Sequence, residues 1–493
     1  MTGNVGIISG SFLTIICLCL PAPAVAQAPL FEVENGAAGK LLLVNPDGGF
    51  VVRGTLDAGA IPATGNGTRL MWYPRKGAFR AGYVDGQEWD DASIGRFSVA
   101  LGEGPTASGD HSLAFGGQSR RTVASGKMSI ALGDGAEATA DNATAIGTAA
   151  TAEALASTAV GVQARATGSY AAALGFRVVA SGERASALGS DTEASGYAAA
   201  TLGSGTKAGG FAATGMGTLT TASGAGSTAM GGRTIATGDY STAMGFESRA
   251  SGAGAVAMGS GSSASGDGSL AAGFQSQASG VSSIAVGSLA NAVGTGSVAL
   301  GTRAVAQGEG SFVFADRSST TQPYTGGANQ FVVRAHGGIG LNSGTNIGCD
   351  LPAGVGSWAC TSSRSAKEGF EDVDGEWVLS KLANIRIQRW RYLGTPSPHV
   401  GPTAEDFRAA FGLGESSTKI ATVDADGIAL RAVQALERRT AASRLDHAAL
   451  GDRVAGLEAE LARSRAEVSE LRSLVAELRS LVGARRAAAA SGL

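Results

Sequence analysis

Residue types that could do chemistry are sparse in this chain of 493 residues, and most of them stand alone. Its four histidines, His111, His336, His399 and His447, show no metal-ligand spacing, so neither a metal site nor a cofactor is expected. Paired carboxylates in a cleft, the equipment of a glycan hydrolase, have little to draw on because the long middle of the chain is poor in acids. Cys349 and Cys360 have ten residues between them. In an oxidising compartment they could close a small loop, and otherwise they are two free thiols. Ser362 and Lys367 set an amine five residues after a hydroxyl. A serine hydroxyl needs a base, and lysine serves when burial leaves its amine neutral. By itself that spacing means nothing, so any role must come from the surroundings.

Those surroundings are not those of a globular enzyme. Glycine supplies 76 residues, aromatics 6% and charged residues 16%, whereas a large core is built from bulky apolar side chains. The net charge of −3 gives no electrostatic case for nucleic acid or an anionic membrane. Residues 1–26 contain no Lys, Arg, Asp or Glu. The apolar run from Phe12 to Leu20, then Pro21, Pro23 and Ala24-Val25-Ala26, reads as an export signal cut after Ala26. The protein is therefore expected outside the cell or at its surface, with Cys17 and Cys19 lost alongside the signal. No later segment is apolar for long enough to span a bilayer as a helix.

From Ser98 the chain repeats every fourteen residues, for fifteen full copies, to Ser311. Ser98-Val99-Ala100-Leu101-Gly102 returns as Ser112-Leu113-Ala114-Phe115-Gly116 and late in the array as Ser297-Val298-Ala299-Leu300-Gly301. The fifth-position glycine keeps phase through Gly147, Gly161, Gly175 and on to Gly287, and a second glycine follows most of them after seven residues, as at Gly168, Gly182 and Gly196. Three residues inserted between Gly116 and Gly126 are the one interruption. Two glycines per period predict two short strands and two turns per coil, with glycine where the backbone turns tightly or takes positive φ. Stacked coils pair strands in parallel at about 4.8 Å each, giving a rod of about 70 Å. Inward positions are alanine (Ala100, Ala159, Ala229, Ala285), because so small a coil cannot enclose more. The fourth position is bulky: Leu101, Phe115, Ile146, Leu174, Leu202, Met230, Met258 and Leu300. Stacked, these make an apolar stripe that calls for burial against other chains. Calcium-binding nonapeptides need a regular Asp and collagen a glycine every third residue, and the repeat has neither.

This repeat resembles the left-handed parallel β-roll of YadA-like trimeric autotransporter adhesin heads. The likeness covers 98–315 and implies a mainly β, solenoidal homotrimer. Nothing like that family's membrane-barrel strands follows, so no transmembrane anchor is expected. Ahead of the shaft, 27–97 carries Trp72, Tyr73, Phe79, Trp89, Phe97 and the turn Asn45-Pro46-Asp47-Gly48-Gly49. It is expected to form a β cap over the open end, its aromatics packing rather than binding sugars. Residues 316–361 regain ordinary composition and read as a β-rich connector, with Phe331-Val332-Val333-Arg334-Ala335 as strand.

Beyond it, Leu450, Val454, Leu457, Leu461, Ser464, Val468, Leu471, Val475, Leu478 and Val482 alternate at spacings of four and three. That is a coiled-coil seam, expected over 441–484, with a polar break at Ser464. The segment Ser362-Ser363-Arg364-Ser365-Ala366-Lys367-Glu368, with Val378-Leu379, the run Ile387-Gln388-Arg389-Trp390-Arg391-Tyr392, Gly401–Phe407 and Val423–Leu430, resembles the intramolecular chaperone domain of phage tail spikes and endosialidases. That likeness covers 362–440 and implies an α+β module that opens on a Ser-Asp-x-x-x-Lys motif and cuts just before the serine. It makes Ser362 the nucleophile, Lys367 its partner and Thr361–Ser362 the scissile bond. Two positions depart from the family: Ser363 stands for Asp, and Glu405 for Gln. At most, then, the chain is a serine endopeptidase acting once on itself, with no outside substrate.

Sliding one chain by fourteen residues nearly restores every shaft contact, so the shaft specifies its own register weakly. A C-terminal trimeric module would align three chains first. The reading is a trimeric extracellular fibre that meets an unidentified host, matrix or glycan receptor. The alternative is a prophage-derived tail fibre whose trimerisation domain is inert.

Overall fold

The computed structural model describes residues 31–35, 39–117, 119–345 and 347–490, so the expected export signal lies outside the described residues. The chain divides into two compact units: the part up to Asn342 with Gly348–Ala359, and Ser343–Ile347 with the part from Cys360 onward.

The first unit is mainly a β-solenoid of about fifteen turns. One ladder starts at Val99–Glu103 and climbs through Leu113–Gly116 to Phe312–Ala315 and Phe331–Arg334; the second runs from Thr106–Ala107 to Tyr324–Thr325. Rungs are parallel and stack each residue on its counterpart in the next coil: Ala159 on Ala173, Ala173 on Ala187, Gly161 on Gly175. The core is a column of methyl groups, with Ala100, Ala114, Ala159, Ala229 and Ala285 fully buried. A second column, Ala107, Ala124, Ala138 and onward to Ala306, is equally buried on the short strands.

The two glycines of each coil do different jobs. Gly189 has φ +122°, and a Cβ there would lie 2.0 Å from the carbonyl oxygen of Gly203, so both conformation and space demand glycine. Gly182 is outside the left-handed region, yet a Cβ would lie 2.0 Å from the Gly196 carbonyl oxygen. Of the two reasons expected from sequence, a tight backbone or a positive φ, only close approach of the backbone fixes this second glycine. The left-handed turn positions are instead taken by Tyr170 (φ 59°), Arg177 (φ 50°), Arg184 (φ 59°) and Leu219 (φ 56°). Each costs about 1–2 kcal/mol, offset by bonds to the coil before, such as Tyr170 N–H to Leu155 O and Arg184 N–H to Ser169 O at 2.8 Å. Scattered aspartates add staples: Asp141 accepts from Lys127 N–H at 2.8 Å and Asp239 from Ala225 N–H at 2.9 Å.

Both ends of the rod are closed. An antiparallel hairpin, Gly67–Tyr73 and Ala78–Val84, joins the first coil in parallel and sets Arg80 in register with Ala100. Arg80 is fully buried. Its guanidinium donates to Ser98 O (2.9 Å), Ser98 Oγ (2.8 Å) and Ala107 O (3.0 Å), plugging the alanine column with a charge. Burial pushes its pKa down to about 10, so it stays protonated at neutral pH. Trp89 is also fully buried, under the Arg69 guanidinium at 5.5 Å, and donates Nε1–H to Pro105 O at 2.9 Å. The cap aromatics thus divide: Tyr73 and Trp89 are core, while Trp72 and Phe97 are partly exposed. The shaft's insertion also serves the cap, through Arg121 pairing with Glu88 at 2.6 Å. Residues Phe31–Asn35, Gly39–Val44 and Phe50–Val52 form a separate antiparallel sheet.

At the far end Val313 replaces alanine in the column, and Phe312 packs on Phe331 at 5.2 Å. Asp316 ties down the exit. It accepts from Ser318 Oγ (2.6 Å) and His336 N–H (2.5 Å) and pairs with Arg334 (3.2 Å). The Ser318 hydroxyl, then the His336 amide, hold its carboxyl at about 2, below the ordinary 3.8. A depressed folded pKa contributes stability that is complete above the unfolded value and is lost as pH falls through about 2. Protection from amide exchange across 312–336, taken relative to the intrinsic rate at each pH, should therefore fall between pH 4 and pH 2, and Asp316→Asn should flatten that dependence. An identical pH profile in the variant would exclude this role. Strands Gly338–Gly344, Ile347–Pro352 and Ala359–Cys360 follow as a three-stranded sheet.

The second unit holds three helices, α1 (Gly375–Leu382), α2 (Ala404–Phe411) and α3 (Thr422–Ala490), with a short hairpin of Gln388–Trp390 and His399–Gly401. Asp374 caps α1 by accepting from Glu376 N–H, and Thr403 caps α2 by accepting from Asp406 N–H; left-handed Gly412 ends α2. Val378, Phe407, Phe411, Ile428 and Ala432 make a small core. α3 is fastened there by Arg431 Nε–H to Val373 O (2.6 Å) and by Arg439 on the Glu376 carboxylate. The heptad helix therefore begins at Thr422, inside the segment read as chaperone domain, and runs unbroken past the expected 441–484. Residues from Ile428 to Arg439 serve the small core on one face and leave Val433 and Leu436 exposed on another.

Candidate functional site

Ser362 and Lys367 flank a single 3₁₀ turn, Arg364–Ala366. Ser363 caps it: its Oγ accepts from Ser365 N–H at 3.3 Å and lies 2.8 Å from Ser365 Oγ. Serine is a strong helix cap, and Ser363 holds this turn. The turn folds the chain back, and Lys367 Nζ donates to Ser362 Oγ at 2.7 Å. Arg364 sits over the ring of Phe370 at 4.4 Å. The hydroxyl, the amine and Thr361 are thus brought together, and all three are exposed in the single chain. A base needs its amine desolvated, and no side chain of this turn is buried.

Cys349 and Cys360 are disulfide-bonded, with Cys360 two residues before Ser362. Glu405 lies exposed in the first turn of α2, where a carboxylate suits the helix dipole. Sequence reasoning missed the capping work of Ser363, although Ser363-x-Ser365 is a local hydroxyl pattern that suggests it.

Two apolar rows complete the functional surface. On the shaft the fourth-position side chains are partly open, Phe115 by 54% and Leu202 by 48%. On α3 the heptad row is half open throughout, from Leu450 (58%) to Val482 (53%). Among the described residues no helix is long and apolar enough to cross a membrane.

Residues 93–119, 124–150, 152–177, 208–234, 236–262, 264–290 and 292–314 match the YadA head domain repeat. Residues 362–412 match the family described as chaperone of endosialidase. No curated protein matches the chain. Both matches point to an adhesin- or tail-fibre-like protein.

Proposed function

Because the chain joins YadA-type head repeats to a chaperone-of-endosialidase domain, we propose that it is a homotrimeric, exported fibre whose C-terminal module aligns three chains and then cuts itself away before Ser362. The observation that carries this reading is the pair of half-open apolar rows, one per coil on the shaft and one per half-heptad on α3. Each row, broken only at Ala272 on the shaft and at Ser464 on α3, is too long for a solitary surface, and sister copies are the occupants whose repeat matches it. Left-handed coils packed three abreast would cover the shaft row, while α3 forms a three-stranded coiled coil.

In the cut, Lys367 takes the Ser362 hydroxyl proton and Oγ attacks the carbonyl carbon of Thr361. The new C–O bond replaces the peptide C–N bond, and the proton passes to the departing Ser362 nitrogen. Water then hydrolyses the ester, leaving a carboxylate at Thr361 and restoring the Ser362 hydroxyl. Sister chains packed over the turn would supply the burial that the single chain lacks. Losing the module afterwards leaves the rod without its folding route and so kinetically locked. The inert tail-fibre reading draws support from that exposure and from Ser363 at the family's Asp position.

Sedimentation of the full chain tests the trimer, and a folded monomer would end the proposal. Mass spectrometry tests the cut. A product of 132 residues, 362 to 493, is expected from the native chain and not from Ser362→Ala or Lys367→Ala. An intact native trimer would select the inert reading.

A further inference from the structure

Among the described residues of one chain, no three His, Cys, Asp or Glu side chains gather to hold a metal ion. Symmetry changes that count. α3 is one unbroken helix, so its seam can be followed N-terminally from Val454 and Leu450. It passes through His447, Ser443 and Thr440 to Leu436 and Val433, holding the spacings of three and four. His447 lies seven residues before Val454, in the same phase, and is exposed in the single chain. Three successive polar layers thus interrupt a seam that is apolar on both sides.

The residues flanking the seam fix how copies meet. In a parallel coil, a residue just before one core position faces, on the neighbouring helix, the residue five further on. Here three of those pairs, Arg453 with Glu458, Glu460 with Arg465 and Glu467 with Arg472, are opposite in charge, while the like-charge pair Arg439 with Arg444 lies where Arg439 is already paired with Glu376. A shift of one heptad sets Arg453 against Arg465 in one direction and Glu460 against Glu458 in the other. The charges therefore favour helices that are parallel and in register. That arrangement puts the His447 residues of all copies in one layer around the axis.

We propose that three His447 side chains, one from each copy, form a tris-imidazole site for a divalent transition-metal ion such as Zn²⁺. The inference rests on the trimer proposed above. Neutral imidazole nitrogen is a preferred ligand for zinc, copper and nickel. Three of them leave a fourth position for water, and the Ser443 layer next to it makes that side polar rather than greasy. Asp446 stands at the flanking position beside the layer, a carboxylate of the kind that orients a ligating imidazole through its second nitrogen. Without metal, three imidazoles in a coil interior weaken the seam; with metal they clamp it.

The test uses the full, untagged chain stripped with EDTA, sedimented to establish its oligomeric state and then titrated with Zn²⁺. Expected are one ion per three chains and a coil melting temperature that rises with Zn²⁺ and falls back with EDTA. His447→Leu, which suits a seam position, should keep the trimer and lose the stoichiometric site, while His336→Ala and His399→Ala keep it. A trimer that takes up no stoichiometric zinc overturns the site alone, as does a His447→Leu trimer that still binds one ion per three chains. A chain that sediments as a monomer overturns the trimer and the site together.

Discussion

Removing residues 362–493 is expected to abolish the soluble trimer, leaving shaft that is monomeric or aggregated. The reason lies in the sameness of the coils. Ala159 meets Ala173 just as Ala173 meets Ala187, and Gly161 meets Gly175 just as Gly175 meets Gly189. A chain displaced by one coil against its sisters forfeits its full contacts at the two ends, while the internal layers are nearly restored. Alignment must then come from a non-repeating element, and α3 with its small core of Val378, Phe407, Phe411, Ile428 and Ala432 is the one at hand. Co-expressing the missing module as a separate chain should not rescue assembly, because register passes along the covalent connection. Sedimentation of the truncated protein decides the matter, and a soluble, thermally resistant trimer of 27–361 would remove the need for a chaperone.

Gly203→Val should break the solenoid at one coil, at a cost of about 4 kcal/mol or more, the range of severe core substitutions. Gly203 has φ +128°, where a branched side chain is strained, and its Cβ would lie 1.9 Å from the carbonyl oxygen of Gly217. Neither obstacle can relax alone, since moving the Gly217 carbonyl moves the whole coil above. In a stack where each unit touches only its neighbours, the fault should divide the rod into two cooperative blocks. Limited proteolysis should then cut near 203, and the thermal melt should split or fall. Gly254→Ala is the matched control: its φ is +63° with nothing within 4 Å of a Cβ, and Ala156, Ala198 and Ala212 already hold that conformation one or more coils away. A Gly203→Val melt indistinguishable from that of Gly254→Ala would exclude the stacking argument.

The contrast between those two glycines shows how far the chain can be read without coordinates. Phase alone locates the coils, the alanine column and the bulky row, because a period of fourteen forces equivalent residues to share an environment. It does not reveal why each glycine is required, since close approach and positive φ leave the same letter; Gly182 and Gly189 separate only once the next carbonyl is placed. Arg80 was not legible as a plug, because arginine in a strand ordinarily points to water and, besides the adjacent Phe79 carbonyl, its acceptors come from residues 98 and 107. At the candidate site, the motif pairs Ser362 with Lys367, and the turn capped by Ser363 supplies the 2.7 Å contact. Helix α3 began earlier than its heptads suggested because α1 and α2 cover the side of residues 428–439 that would otherwise have argued against a lone amphipathic helix.

The hairpin lid with Arg80 and the exit clamp around Asp316 each touch only the terminal coils, so neither has any knowledge of how many coils lie between them. One coding repeat could be duplicated or lost by recombination with both closures left intact. Reach from the surface would then change in increments of about 4.8 Å, giving a lineage adjustable stature from a single unaltered building unit.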